Sequence, residues 1–514
     1  MIFRGPSVDI PDTSLTSFVL RGAERYGARV ATVDVTGRGR YTYAELASAV
    51  RRAAAGLRAR GFGKGDVLAV LAPNVPEYPV VFHAAVSAGG AVVVLNPLDT
   101  ADDLAARLAE AGARLLVTVP SEVVKATALV GRTAVAEVVV LGEADGATPF
   151  AALLADDAPM PDVPVDPARD VAAVLHSSGS TGHPKGVLLT HRNMVAKALL
   201  TSLVAPTGED ARVLAMPPFH HAFGLTMMMN ASLLQGTTLV TMPRFDPEAF
   251  LRAIQEHRIT HLYIVPTMAV LLARSPLVDR YDLSSLRSIV SGGATLDPAI
   301  AALVRRRIGC HIAQGYGLTE SMVSFMQPEE PTRPASVGLP APGVEYKVVD
   351  VDTGAELGPR RNGEILIRGP QVMKGYLNAA EATRDVLDDD GFLRTGDLGY
   401  AEDDGELFIV DRIKELIKYK GQQVSPVELE AVLLTHPKVA DAAVVGVPDE
   451  EASEVPKGFV VAKEPATPEE IMAFVAERVA PYKKIRQVEF VDRIPRTPVG
   501  KVERRSLKER DRAA

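Results

Sequence analysis

The chain has 514 residues, 47% hydrophobic and 23% charged, with a net charge of −8. That suits about three packed units of a globular protein. The acidic balance argues against nucleic acid or an anionic membrane as the main partner, and one cysteine, Cys310, excludes an internal disulfide and a multi-cysteine metal site.

From the start, residues 1–26 lack a basic stretch followed by an apolar core, so no signal peptide is expected and the cytoplasm is the expected compartment. Residues 41–61 carry Leu46, Val50, Ala53 and Leu57 at helical spacing. Residues 66–71 then read as a buried strand, 77–88 as helix, 91–95 as strand, 104–111 as helix and 115–119 as strand. The alternation resumes with strands at 172–176, 212–216, 238–242, 261–265 and 288–291. Strands alternating with helices imply a mostly parallel sheet, hence an α/β fold. Residues 261–273 are apolar but short and contain Pro266, so they do not span a bilayer.

After about residue 340, short strands at 346–350, 363–368 and 406–410 are separated by Gly- and Asp-rich turns, which predicts a small β-unit over 341–410. Beyond Asp411 a helix (427–435), a strand (439–447) and a second helix (468–479) form an α+β pattern. The expected architecture is a large part, 1–410, of two α/β layers plus the β-unit. A smaller mobile lid, 411–514, follows, with Asp411 as pivot.

The most informative segment follows the apolar run 172–175. It is Ser177, Ser178, Gly179, Ser180, Thr181, Gly182, His183, Pro184, Lys185 and Gly186. Small residues leave backbone N–H groups exposed, hydroxyls add donors, and Lys185 adds charge, so the loop suits a polyphosphate. It is not a Walker A loop, because no G-x-x-x-x-G-K-[ST] occurs. A Ser/Gly linker is the bland alternative, but linkers seldom follow a buried strand directly.

The loop resembles the phosphate-binding signature of the adenylate-forming superfamily of acyl-CoA synthetases, luciferases and adenylation domains. Further motifs follow in family order: Tyr316-Gly317-Leu318-Thr319-Glu320, Tyr376 within Gly375-Tyr376-Leu377-Asn378, Thr395-Gly396-Asp397, the hinge from Asp411 to Lys418, and Pro498-Val499-Gly500-Lys501. Within the superfamily the chain looks most like 4-coumarate–CoA ligases, through Pro218-Phe219-His220 and the run Ile417 to Gly421.

The resemblance implies ATP, Mg²⁺ and coenzyme A as reactants with a small carboxylic acid. Glu320 would hold Mg²⁺, and Thr319 would donate to the α-phosphate. Asp397 and Arg412 would hold the ribose, and Gly293, Gly315 and Tyr316 would line the nucleotide. Lys501 would stabilise the charge that builds as pyrophosphate leaves. His220 would sit beside the acid carboxylate, with His221 left open and Met227 to Met229 read as helix packing. Lys418, Gly421 and Gln423 would serve the thiol-transfer step after the lid rotates.

Two departures stand out. Gln422 replaces a usual Phe, and Val290 replaces the Lys that serves the phenol hydroxyl in plant coumarate ligases. An apolar aryl or medium-chain acid is therefore expected. The alternatives are transfer to a separate carrier protein, or to another acceptor such as an amine or nitrite. A non-catalytic nucleotide sensor is disfavoured by the intact set Lys185, Thr319, Glu320, Asp397 and Lys501.

Overall fold

Three Thr residues start three of the helices that flank the sheets. Thr42 and Thr100 close capping boxes with Glu45 and Asp103, and Thr190 does so with Asn193. The helix Tyr43–Ala59 buries the stripe Leu46, Val50, Ala53 and Leu57 that its spacing predicts. A computed structural model describes residues 1–37, 39–154, 159–177, 184–420, 422–449, 451–497 and 500–513.

The large part holds two parallel-cored sheets. The eight-stranded sheet runs in the order Gly375–Tyr376, Lys185–Thr190, Val171–Ser177, Ala91–Leu95, Val67–Leu71, Ala113–Thr118, Glu137–Val140, Thr148–Pro149. It is parallel from Val171–Ser177 onward. The nine-stranded sheet is parallel through His311–Tyr316, Ser288–Ser291, His261–Ile264, Arg212–Ala215, Thr238–Thr241 and Val30–Asp34, with antiparallel strands at both edges. One continuous apolar core joins Leu68, Val70 and Val92 of the first sheet to Val213, Ala215 and Leu239 of the second. Helices including Tyr43–Ala59, Tyr78–Ser87 and His191–Val204 contribute to it.

The expected small β-unit exists as a five-stranded antiparallel sheet, but its composition differs from the prediction. Its first strand is Ile2–Arg4, with Phe3 opposite Tyr346 and the two rings stacked at 5.1 Å. Three residues are too few for a periodic signal. Gly375–Tyr376, by contrast, leaves the unit to pair with Val187 and Leu188 of the eight-stranded sheet. Lys185–Thr190 is a further unpredicted strand, antiparallel to Val171–Ser177.

Residues beyond Ile417 pack two cores of their own around a mostly antiparallel sheet, one core including Val424, Leu429, Leu433, Val444 and Val460. Asp411 still belongs to the strand Leu407–Arg412 of the five-stranded sheet. Its buried carboxylate accepts from Ser425 Oγ and from the Val427 amide, at the N-terminus of the helix Pro426–Leu434. No helix among the described residues is long and apolar enough to cross a membrane. Cys310 is a buried free thiol.

Candidate active site

A cavity of about 570 Å³ opens where the two parallel sheets end, the usual ligand position in α/β folds. Its lining comes from both large sheets, the five-stranded sheet and the C-terminal part.

One wall is built by antiparallel register. Asp397 lies directly opposite Arg412, whose Nε is 3.0 Å from the carboxylate. The Tyr316 hydroxyl donates to the same carboxylate at 2.5 Å. Asp397 is nearly fully buried and stands behind Thr395, Gly396, Tyr316 and Arg412, which face the cavity. Two oxygens held this way can accept from a vicinal diol. Glu364 braces the turn, pairing with Arg394 and accepting from the Gly396 amide at 3.2 Å.

A second group carries charge. Glu320 and Thr319 line the cavity, and the Tyr376 hydroxyl donates to Glu320 at 2.9 Å. The Lys185 ammonium lies 5.1 Å from the centre of the Tyr376 ring. Ser177 lines the cavity with its hydroxyl buried and unpartnered among the described residues, as expected of a donor awaiting a ligand oxygen. Ser178, Gly179, Ser180, Thr181 and Gly182 lie outside the described residues, as does Gly421. No cluster of three or more His, Cys, Asp or Glu able to hold a metal occurs among the described residues. A cation at Glu320 would be held by one carboxylate and by oxygens of its ligand, which fits Mg²⁺ with a nucleotide polyphosphate.

Lys501 enters from the C-terminal part on a tight turn. The Thr497 amide donates to the Lys501 carbonyl at 2.8 Å, and the Lys501 amide to Thr497 Oγ1 at 3.2 Å. Gly500 takes φ +78°, and a Cβ there would sit 3.3 Å from Val265 of the large part. Burial lowers the Lys501 pKa, and Arg412 lowers it further, against the opposing pull of Asp397 and Glu320. Lys418 and Gln423 pair across a hairpin, are exposed and do not line the cavity.

The third region is apolar. Phe223, Met227, Val290, Met322, Val323, Phe325 and Met326 line it with Gly292, Gly293 and Gly315. Gly292 faces the Phe223 ring, where a Cβ would lie 3.2 Å from it, and Gly293 adopts φ +85°. Met227 therefore lines the cavity, whereas Met228 and Met229 are packed as predicted. All three belong to a π-helix, Phe223–Asn230, a form frequent at functional sites. His220 and His221 both line the cavity. Burial pushes His220 down to about 4 and His221 to about 3, so both are neutral at pH 7. The Phe223 amide donates to His221 Nδ1 at 3.2 Å, whereas His220 Nδ1 is buried without a partner among the described residues.

The sequence did not point to several further lining residues, among them Asn96, Asp99, Arg107, His176, Ser291 and Glu364. His176 had one visible signal, a polar ring ending an apolar strand immediately before the Ser/Gly loop. Arg107 and Glu110 look like an ordinary solvated i,i+3 pair.

Together these walls define a nucleotide-binding enzyme whose cavity is completed by a lysine from a smaller C-terminal part. Comparison with known proteins agrees. The AMP-binding enzyme model matches residues 19–377, and the AMP-binding enzyme C-terminal domain model matches 428–501. The chain is 41% identical to 4-coumarate–CoA ligase 3 of Oryza sativa subsp. japonica, over 99% of this chain and 95% of that one. Among solved structures, ATP-bound MatB from Rhodopseudomonas palustris superposes with a TM-score of 0.89 at 29% identity, covering 97% of this chain and 99% of that one. The amide bond synthetase McbA from Marinactinospora thermotolerans superposes with a TM-score of 0.86 at 30% identity, covering 96% and 99%. The chain belongs to the AMP-binding enzyme family and is an adenylate-forming ligase.

Proposed function

We propose that the enzyme adenylates an apolar aryl or medium-chain carboxylic acid with ATP and passes the acyl group to coenzyme A. The observation that carries this reading is the cavity itself. A wall of Tyr316, Gly396 and Arg412, the pair Thr319 and Glu320, and an apolar region line one cavity with Lys501, which supports sites for a ribose, a polyphosphate and an apolar acid. Identity of 41% across nearly the whole length of a coumarate–CoA ligase supports coenzyme A as acceptor.

In this reading Asp397 accepts the ribose hydroxyls, while Ser177, Lys185 and Thr319 face the phosphates. Mg²⁺ bound at Glu320 supplies neutralising charge to those phosphates. The acid carboxylate attacks the α-phosphorus and pyrophosphate leaves. Lys501 stabilises the phosphoryl oxygens more in the transition state than before it. His220, neutral and unpartnered at Nδ1, orients the carboxylate. Val290 and its apolar neighbours offer a second carboxylate no partner.

The test is a panel of acids in ATP–pyrophosphate exchange without coenzyme A, followed by thioester assay with it. Cinnamate-like, benzoate-like and medium-chain acids should exchange, and thioester should form once coenzyme A is added. Exchange that needs coenzyme A, or a preference for malonate, overturns the reading.

A further inference from the structure

Five of the cavity's lining residues serve none of the roles above. Val94 and Asn96 stand at the end of the strand Ala91–Leu95, Asp99 follows in the next loop, Arg107 lies on the helix Ala101–Ala111, and His176 ends the neighbouring strand. The group adjoins His220. Asn74, beside these strand ends, donates to the carbonyls of Ala215 and Pro217 and accepts from the Phe219 amide at 2.7 Å. This is a polar sector of the cavity that also holds His220.

His176 is the unusual member. Its side chain is 5% exposed, yet both ring nitrogens lack a hydrogen-bond partner among the described residues. Histidines that only fill core are anchored: His83 Nδ1 meets Thr16 Oγ1 at 3.1 Å, and His191 Nδ1 accepts from the Leu15 amide at 3.1 Å. Glu110 Oε2 lies 4.0 Å from Nε2, and Glu110 is 33% exposed; the Arg107 charge also acts on the ring. Asp99 pairs with Arg107, so the guanidinium is engaged. Among the described residues Glu110 and Arg107 act on this ring, Asp99 acts on Arg107, and His220 lines the same cavity. His220 carries an unpartnered nitrogen too, but no carboxylate lies within ion-pair reach of it among the described residues.

The two half-reactions differ in their need for a base. A carboxylate attacking phosphorus has no proton to lose. A thiol with an ordinary pKa of about 8.5 is mostly protonated at pH 7 and must lose its proton as it attacks. We propose that His176 is the proton acceptor of the acyl-transfer half-reaction and that Glu110 carries the proton from it to solvent. The proposal rests on the reading that a thiol receives the acyl group.

In the step, the sulfur–hydrogen bond breaks and the proton passes to a ring nitrogen of His176. The sulfur bonds to the acyl carbon, and the carbon–oxygen bond to AMP breaks with its electron pair on the AMP phosphate. Glu110 then takes the proton from the imidazolium and releases it to water. Burial, with a smaller push from Arg107, holds the His176 ring at about 4, so it stands neutral at pH 7 and readily gives up a proton it has accepted. Burial raises the Glu110 carboxyl, against the pull of Arg107.

The experiment uses the full-length enzyme with an acid it adenylates, in single turnover. Acyl-adenylate is formed first, then coenzyme A is added and thioester is followed by rapid quench from pH 6 to 8. His176→Phe should keep pyrophosphate exchange within about twofold and lose about a hundredfold or more in thioester formation, the usual reach of a positioned base. Its residual rate should climb about tenfold per pH unit, since free thiolate must then form in solution below its pKa. Glu110→Gln, at a half-exposed site that does not threaten folding, should lose about tenfold in transfer alone. Hydroxylamine, whose nitrogen attacks without first losing a proton, should capture the acyl group from His176→Phe at the normal rate. A His176→Phe enzyme that transfers to coenzyme A within twofold of the parent, or that loses exchange and transfer equally, overturns the proposal. A parent enzyme that forms adenylate but no thioester instead overturns the reading of the acceptor, and the thiol role of His176 with it.

Discussion

Replacing Lys501 with Ala tests whether this side chain serves one half-reaction or the whole fold. The ammonium sits among Arg412, Asp397, Glu320 and Glu415, and burial is the main reason its pKa is lowered. Keeping it charged there already costs energy, and that cost is recovered only when a more negative partner arrives. A unit charge about 4 Å from a phosphoryl oxygen, at an effective dielectric near 20, interacts by about 4 kcal/mol. Loss of a comparable transition-state contact costs about 2.7–4 kcal/mol, a hundred- to a thousandfold in rate. The turn is held by Lys501 main-chain atoms bonded to the Thr497 amide and hydroxyl, which Ala retains, so folding should be unchanged. Single-turnover pyrophosphate release should therefore fall by that factor. Conversion of supplied acyl-adenylate and coenzyme A to thioester should stay near normal. Because the lysine acts protonated and its pKa is lowered, adenylation in the parent should also decline with rising pH before an ordinary lysine would titrate. Equal slowing of both half-reactions by Lys501→Ala would refute this reasoning.

Tyr376→Phe removes the hydroxyl that donates to Glu320 at 2.9 Å; a hydrogen bond to a charged group is worth about 1.5–3 kcal/mol, so the KM for Mg·ATP should rise about tenfold or more in exchange assays. Lys197 is fully buried on the helix His191–Val204 with no hydrogen-bond partner for Nζ among the described residues, and burial lowers its pKa to about 7. The unfolded chain binds more protons at this site between about pH 7 and 10.5, so stability should climb with pH there. Lys197→Met should raise urea resistance at pH 7 by about 1–4 kcal/mol and flatten that climb. Burial depresses His83, His176, His191, His220, His221 and His261 to about 3 or 4 from 6.5. Their stabilisation is complete above about pH 6.5 and is lost as pH falls toward 4, by up to about 1.4 kcal/mol per pH unit for each ring. The urea midpoint should therefore drop steeply from pH 6.5 to 5. Asp411→Pro fixes φ near −65° and removes an amide donor together with the carboxylate that holds Ser425; thioester formation should fail while adenylation continues, as single-turnover assays of each half would register.

Much of this was legible because buried strands announce themselves. Apolar β-branched runs predicted most central strands to within a residue or two, and helical spacing predicted the face of Tyr43–Ala59. The site was legible where chemistry is local in sequence: Thr319 and Glu320 in one turn, Lys501 in another. It was not legible where partners meet only through pairing. Asp397 and Arg412 face each other because a strand register sets them opposite. Tyr376 reaches Glu320 because a two-residue strand crosses to another sheet. His176 and Glu110 lie 66 positions apart and meet only because a helix packs over the end of a parallel strand. Local periodicity has no access to such pairs, and the π-helix Phe223–Asn230 is equally hidden, since a short, mostly apolar stretch gives no phase to read.

The orientation of the C-terminal part also bears on how one cavity could serve two reactions. Lys501 and Arg412 reach the cavity while Lys418 and Gln423 stand in solvent on the same part of the chain. If both sets act on the same acyl group, they cannot do so at once. The turn that carries Lys501 approaches Val265 of the large part at Gly500. Asp411, by contrast, is tied by hydrogen bonds on both sides of the junction: its strand pairs with Leu398, and its carboxylate holds the start of the helix Pro426–Leu434. A base tethered on both sides is one mechanical condition for rotation about it, because the junction can stay hydrogen-bonded if the tip leaves. The neutral ring of His176 then has a natural place in the order of events. In the proposed scheme it stands idle while Lys501 occupies the cavity, and it would be called on only after pyrophosphate and the lysine have left room for a thiol.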